Sequence, residues 1–160
     1  VPEIVSSKTT AIGKTDGLYG LFRSFHAAQE KLHELAQTQQ LCRVLLGLEK
    51  PSARGCFGLQ IKTCLGACVG REDRVAHDQR FLSALCETQV HAWPYAGAVD
   101  VVEAKGDWVQ KHRIQDWRYL GTWCSRAQGQ TGQAERSFDL DTYKILVKPI
   151  MLRSVVIEAV

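Results

Sequence analysis

Apolar positions fall at helical spacing in two places. Phe25, Ala28, Leu32, Leu35 and Ala36 share one face and predict a helix from Phe25 to about Gln40. Ser24 stands just before it and offers a hydroxyl to the free amides of the first turn. His33 lies beside the stripe and reads as a surface or half-buried histidine. Val75, Leu82, Leu85 and Cys86, with Phe81 adjacent, predict a second helix over Glu72–Gln89. On that face Cys86 is expected to be a small buried core residue, while His77 can point either way.

Elsewhere the pattern alternates. Pro2 to Thr10 is β-favouring, Gly13 to Gly17 reads as a turn, and Leu18 to Arg23 as a short strand. Beyond Trp93-Pro94, the segments Ala98–Glu103, Trp108–Ile114 and Trp117–Cys124 read as strands, with a turn at Lys105-Gly106-Asp107. Gly129 to Glu135 is a polar, glycine-rich loop. Tyr143–Ile150 and Ser154–Val160 are expected as a closing pair of strands. The predicted fold class is α+β: a helical, cysteine-rich segment in residues 1–92, then a small, mostly antiparallel β-sheet domain in residues 93–160. No internal repeat is visible.

Between the two predicted helices the apolar pattern breaks down and cysteines take over. Cys42, Cys56, Cys64 and Cys68 occur with tightening spacing: thirteen, seven and three residues lie between them. Such a stretch has little apolar surface with which to order itself, and a bound metal centre can supply that order. Phe57, Leu59, Ile61 and Leu65 are expected to pack around the centre. Four thiolates suit a four-iron cluster and structural zinc alike. Zinc knuckles commonly come as two close pairs, and here only Cys64 and Cys68 make one. The spacing therefore favours an iron–sulfur cluster, with zinc or unligated thiols as the alternatives.

Charge sharpens the picture in the same place. The chain has 160 residues and a net charge of +3. From Leu41 to Arg71 the balance is five basic residues (Arg43, Lys50, Arg54, Lys62, Arg71) against Glu49 alone. A basic excess there suits an anionic partner such as a phosphate backbone. Equally, Arg43, Arg54, Lys62 and Arg71 can offset the negative charge of a thiolate centre. Overall composition is that of a globular protein, with 45% hydrophobic and 23% charged residues. No apolar run approaches the roughly 20 residues that span a bilayer. No export signal opens the sequence, so reduced thiols in a cytoplasmic setting are expected rather than disulfides. Val1-Pro2-Glu3 reads as the interior of a longer chain.

Two further chemistries have candidate residues. Asp100, Glu103, Asp107, Asp116, Asp139 and Asp141 could bind Mg2+ as nuclease carboxylates do, but they follow no motif spacing. Trp93, Tyr95, Trp108, Trp117, Tyr119 and Trp123 could stack on unpaired bases, although a β-sheet core is the simpler use of them. Cys124 and His112 form the one Cys/His pair in residues 93–160, and they carry no catalytic motif.

The stretch C-F-G-L-Q-I-K-T-C-L-G-A-C-V-G resembles the cysteine region of the UvrC family of bacterial excinuclease subunits, and within it the shorter Cho group. Leu18-Tyr19-Gly20-Leu21-Phe22-Arg23-Ser24, L-C-R-V-L-L-G-L-E-K, Trp93-Pro94 with Gly97-Ala98-Val99, and D-T-Y-K-I-L-V-K-P carry the same likeness. The resemblance implies the non-catalytic C-terminal part of a nucleotide excision repair endonuclease that cuts DNA 3′ to a lesion. It implies DNA and a UvrB-like damage-recognition subunit as partners, and a [4Fe–4S] cluster on Cys42, Cys56, Cys64 and Cys68. The tyrosines, arginine and Mg2+-binding glutamate of the family's GIY-YIG nuclease domain have no counterpart here, since Tyr19 belongs to the later strand. No catalytic residue is expected in this chain. A zinc-stabilised interaction module without a DNA role is the alternative.

Overall fold

The computed structural model describes residues 1–127, 130–131 and 137–160. The chain forms two compact units: Val1–Ile4 with Tyr19–Val90, and Val5–Leu18 with His91–Val160. Helices in the first and an antiparallel sheet in the second give the expected α+β class. Among the described residues, no helix is long and apolar enough to cross a membrane.

In the first unit, helix α1 (Phe25–Thr38) begins as its sequence predicts. The Ser24 hydroxyl accepts from the Ala27 amide at 3.1 Å. Leu35 and Ala36 are buried against Leu41, Leu46 and Phe81, with Leu32 alongside. Phe25, at the head of the stripe, stays exposed. A four-residue helix, α2 (Phe57–Gln60), and a 3-10 turn at Ala67–Val69 are the only regular pieces between Leu41 and Gly70. Helix α3 (Arg74–Leu85) starts on Asp73, whose carboxylate accepts from the Val75 and Ala76 amides.

Helix α3 is rotated away from its expected face. His77 and Phe81 are the buried residues, whereas Val75, Leu82 and Cys86 are exposed. Phe81 fills the α1 core, and His77, one turn earlier on the same side, meets a buried backbone amide. A large ring plus a satisfied polar group outweighs the thin aliphatic stripe of Val75 and Leu82. At the N-terminus, the extended run expected over Pro2–Thr10 is instead turned: Ser6 accepts from the amides of Lys8, Thr9 and Thr10. The only strand there is β1 (Leu18–Tyr19), matched by β2 (Gln89–Val90).

The second unit is built on a five-stranded antiparallel sheet. Its strands are β3 (Val99–Lys105), β4 (Trp108–Gln115), β5 (Arg118–Cys124), β6 (Gln130–Thr131) and β7 (Val156–Ala159), in the order β6-β5-β4-β3-β7. Apart from Gln130–Thr131, the glycine-rich segment Gly129–Glu135 lies outside the described residues. Tyr143–Ile150, expected as a strand, is a helix: α4 (Leu140–Met151). Asp139 caps it by accepting from the Thr142 amide at 2.7 Å. Tyr143 and Ile150, seven residues apart, are its buried positions, and that is helical periodicity. The β-branched run Ile145–Val147 obscures that spacing in the sequence.

Strands β4 and β5 are joined by Asp116 and Trp117, both at positive φ (52° and 63°), as a type I′ hairpin turn requires. A tryptophan is strained there, and burial compensates. Trp117 is wholly buried, with its ring edge-to-face against Trp93 (5.0 Å) and Tyr143 (5.2 Å). Its indole N–H donates to the His91 carbonyl at 2.8 Å. The Tyr143 hydroxyl accepts from the His91 amide, and burial pushes that hydroxyl's pKa up.

On the opposite face of the sheet, Arg113 grips Asp100 with two hydrogen bonds of 2.9 and 3.0 Å. Arg113 holds the Asp100 carboxyl below its ordinary range, against the raising effect of burial. A depressed carboxyl stabilises the fold above its unfolded pKa of about 3.9, and that contribution is lost as pH falls through the folded value. Since the guanidinium is half-exposed, Arg113→Ala is expected to destabilise the unit by about 1 kcal/mol at neutral pH. Urea denaturation is expected to show this difference shrinking below the ordinary aspartate range.

Candidate metal centre and basic rim

The four cysteines arrive from four short pieces of chain. Cys42 follows the end of α1, where Gln40 takes a φ of 52° and the Leu41 amide donates back to the Ala36 carbonyl at 2.9 Å. Cys56 is the residue that opens α2; the Phe57 amide beside it donates to the Glu49 carboxylate at 2.9 Å. Cys64 is placed by the Thr63 amide, which donates to the Gly58 carbonyl at 2.7 Å. Cys68 lies in the 3-10 turn that begins after Gly66.

Two glycines make this approach possible. Gly66 has a φ of +92°, and its amide donates to the Cys64 sulfur at 3.3 Å. A Cβ on Gly58 would sit 3.3 Å from the Cys64 Cβ and 3.6 Å from the Cys56 Sγ. Cys42, Cys56 and Cys64 are buried and Cys68 is partly so, with Val44, Leu45, Leu59 and Ala67 packed around them.

All four Sγ atoms lie within 4.8 Å of one another, so the set can hold a metal ion. Among the described residues it is the one such group of cysteine, histidine or acidic side chains. The Cys56 amide donates to the Cys68 sulfur at 3.4 Å. Burial pushes the Cys42 thiol up, and pushes Cys64 up to about 12. Burial also acts upward on Cys56, but hydrogen bonds from the Leu59 and Arg43 amides and the neighbouring thiols bring it below the ordinary cysteine value. Metal binding would therefore release protons, most clearly from Cys64.

The donor chemistry fits both kinds of centre. A tetrahedral ion with sulfur ligands at about 2.3 Å sets the sulfurs about 3.8 Å apart, inside the 4.8 Å within which these four lie. A four-iron cluster interposes an iron between each sulfur and the cluster body, so it would spread the four sulfurs further.

Phe57, Ile61 and Leu65 depart from expectation. Each is nearly half exposed rather than packed around the sulfurs, and only Leu59 of the expected group packs there. Phe57 instead carries the Arg43 guanidinium 5.3 Å above its ring centre. Arg54, Lys62 and Arg71 are exposed on the same segment, and no ion pair among the described residues engages them. The basic rim and the sulfurs therefore belong to one short stretch of the first unit.

The sequence alone leaves His77 undecided. It is completely buried, and its Nε2 accepts from the Cys42 amide at 3.0 Å. The available signal is its position four residues before Phe81 on a helix capped by Asp73.

Among the described residues, the acidic side chains of the second unit do not assemble a metal site. Asp100 pairs with Arg113, Asp107 with Arg126, Asp116 with Lys14 and Arg118, and Asp139 caps α4. Of the candidate stacking aromatics, Trp93 and Trp117 are core, while Trp123 is 48% exposed. His112 hydrogen-bonds Thr122 at 2.7 Å, and Cys124 is paired in register with Gln110.

Two family descriptions match this chain. Residues 2–87 match "UvrC/Cho excinuclease, middle domain", and residues 98–160 match "Excinuclease Cho C-terminal domain". The protein named excinuclease cho of Salmonella typhi is 39% identical over 151 residues, covering 93% of this chain and 52% of the relative. That of Escherichia coli strain K12 is 38% identical over 151 residues, covering 93% of this chain and 51% of the relative. The chain thus spans about half the length of the curated relatives it matches. No solved structure matches it. With the four cysteines inside the first match and the five-stranded sheet inside the second, the chain belongs to the UvrC/Cho excinuclease family.

Proposed function

We propose that this chain is the non-catalytic part of a nucleotide excision repair endonuclease that cuts 3′ to DNA lesions. It binds DNA and positions the nuclease domain on a substrate received from a UvrB-like damage-recognition subunit. The observation that carries this reading is the rim of Arg43, Arg54, Lys62 and Arg71, set on the segment that the four thiols organise. Cys42, Cys56, Cys64 and Cys68 hold the centre, a [4Fe–4S] cluster by family resemblance. When bound, the centre supplies order to a stretch with little helix or sheet of its own; the rim contacts phosphates.

The closeness of the sulfurs favours a second reading of the centre, a single zinc ion, and with it a module whose work is protein interaction rather than DNA binding. Salt dependence separates the two roles. Binding to a labelled, partly unpaired duplex, followed by anisotropy, is expected to weaken with added salt. Replacing all four rim residues by alanine is expected to flatten the slope of log affinity against log salt by about one for each phosphate left unneutralised. An unchanged slope removes the rim from DNA binding.

A further inference from the structure

We propose that helix α3 is the positioning element of the metal centre, acting through His77 on the first ligand residue, Cys42; this rests on the metal-centre reading above. The Cys42 amide is buried, follows the end of α1, and finds its acceptor 35 residues further on, at His77 Nε2, 3.0 Å away. A backbone N–H can only donate, so Nε2 keeps its lone pair and the ring proton sits on Nδ1. Nδ1–H donates to Asp78 Oδ1 at 2.9 Å, and Asp78 Oδ2 accepts from the Arg74 Nε at 3.4 Å. The ring is thereby fixed in one tautomer and one orientation.

The same helix also grips Gln39 and Gln40, the two residues before Leu41. Arg80 donates from Nε to the Gln39 carbonyl at 2.8 Å and from Nη2 to the Gln40 carbonyl at 3.2 Å. It is itself paired with Glu72. Arg80 thus satisfies carbonyls that the end of α1 leaves open, and His77 satisfies the next buried amide. Together they hold residues 39–42 as a rigid lead-in to the Cys42 sulfur, whichever metal the four thiols take. A histidine present only to fill the core would not need its acceptor nitrogen on the ligand's own amide.

The test uses the metal-free chain, kept reduced and titrated with cobalt(II), whose thiolate charge-transfer and visible bands report ligation and geometry. His77→Phe keeps the ring volume but removes the acceptor. It is expected to weaken cobalt binding about tenfold, the worth of one buried hydrogen bond, and to change the band shape. His77→Gln puts an acceptor oxygen near the Nε2 position and is expected to restore most of the affinity. A folded His77→Phe chain that binds cobalt as tightly as its parent, with the same spectrum, overturns the proposal.

Should His77→Phe fail to fold, long-range nitrogen–proton spectra of the parent decide instead. A protonated Nδ1 with a bare Nε2 supports the assignment, and a protonated Nε2 overturns it. A parent chain that takes up neither cobalt nor iron overturns the metal centre itself. That failure shows in the parent and cannot be confused with an effect of the substitution.

Discussion

Cys56→Ala, purified and measured under anaerobic conditions, is expected to lose its metal almost entirely. Structural thiolate sites bind with apparent free energies of about 10–16 kcal/mol in small zinc-dependent folds, and most of that depends on a complete ligand set. Removing one buried sulfur from the quartet is therefore expected to lower metal content at least about tenfold and to loosen the stretch from Leu41 to Gly70. Cys86→Ala, an exposed cysteine outside the quartet, is the control and is expected to retain the parent's metal. The same preparations identify the centre: iron with acid-labile sulfide marks a cluster, and zinc without sulfide marks a single ion. A parent and a Cys56→Ala chain with equal metal would rule the quartet out.

Trp117→Ala is expected to be the most damaging single change in the second unit. Trp117 is fully buried, its ring meets Trp93 and Tyr143 edge-to-face, and its indole N–H serves the His91 carbonyl. Truncating a buried tryptophan costs about 3–5 kcal/mol through lost transfer energy and the cavity left behind. None of this is returned by the backbone, because alanine keeps the Cβ that makes a positive φ unfavourable. Domains are stable by only about 5–15 kcal/mol, so the sheet unit would be close to unfolding. Denaturation followed by circular dichroism is the measurement. Trp123→Ala, at an exposed site on β5, is expected to stay within about 0.5 kcal/mol of the parent. Equal effects at the two positions would mean that the aromatic cluster is not the core.

Much of this architecture is legible in the sequence. Helix α1 is legible because its cap and apolar stripe agree: Ser24 starts it, and Leu35 and Ala36 are buried as the spacing predicts. The hairpin β3–β4 is legible from the strand-like run Ala98–Glu103 and the turn signal Lys105-Gly106-Asp107 after it. The cysteine quartet is legible because sulfurs so close in sequence have few other uses, and the four do meet.

The departures have specific physical causes. In α4 the β-branched residues mimic a strand, and the deciding signal is the Asp139 cap together with the seven-residue interval from Tyr143 to Ile150. Trp117 reads as a strand residue because Asp-Trp is not a usual two-residue turn; only the tertiary burial of its ring makes that backbone tolerable. The inward face of α3 depends on a long-range hydrogen bond from Cys42 to His77, which no local pattern encodes. Phe57, Ile61 and Leu65 are expected inside because they are apolar, yet the loop carrying them is too short and too occupied by sulfur to enclose them.

The segment Val5–Leu18 belongs to the sheet unit, although Tyr19–Val90 of the cysteine-bearing unit separates it from the rest of the sheet unit. Its Gly13 carbonyl takes the Trp93 amide at 2.7 Å, and Lys14 reaches Asp116. During synthesis these early residues leave the ribosome long before the partners they need. The cysteine-bearing portion is thus free to close while they wait, and the sheet portion can be completed only once the strands beyond His91 have emerged. The interruption raises the loop-closure entropy of the later portion, so its folding is expected to be the slower of the two.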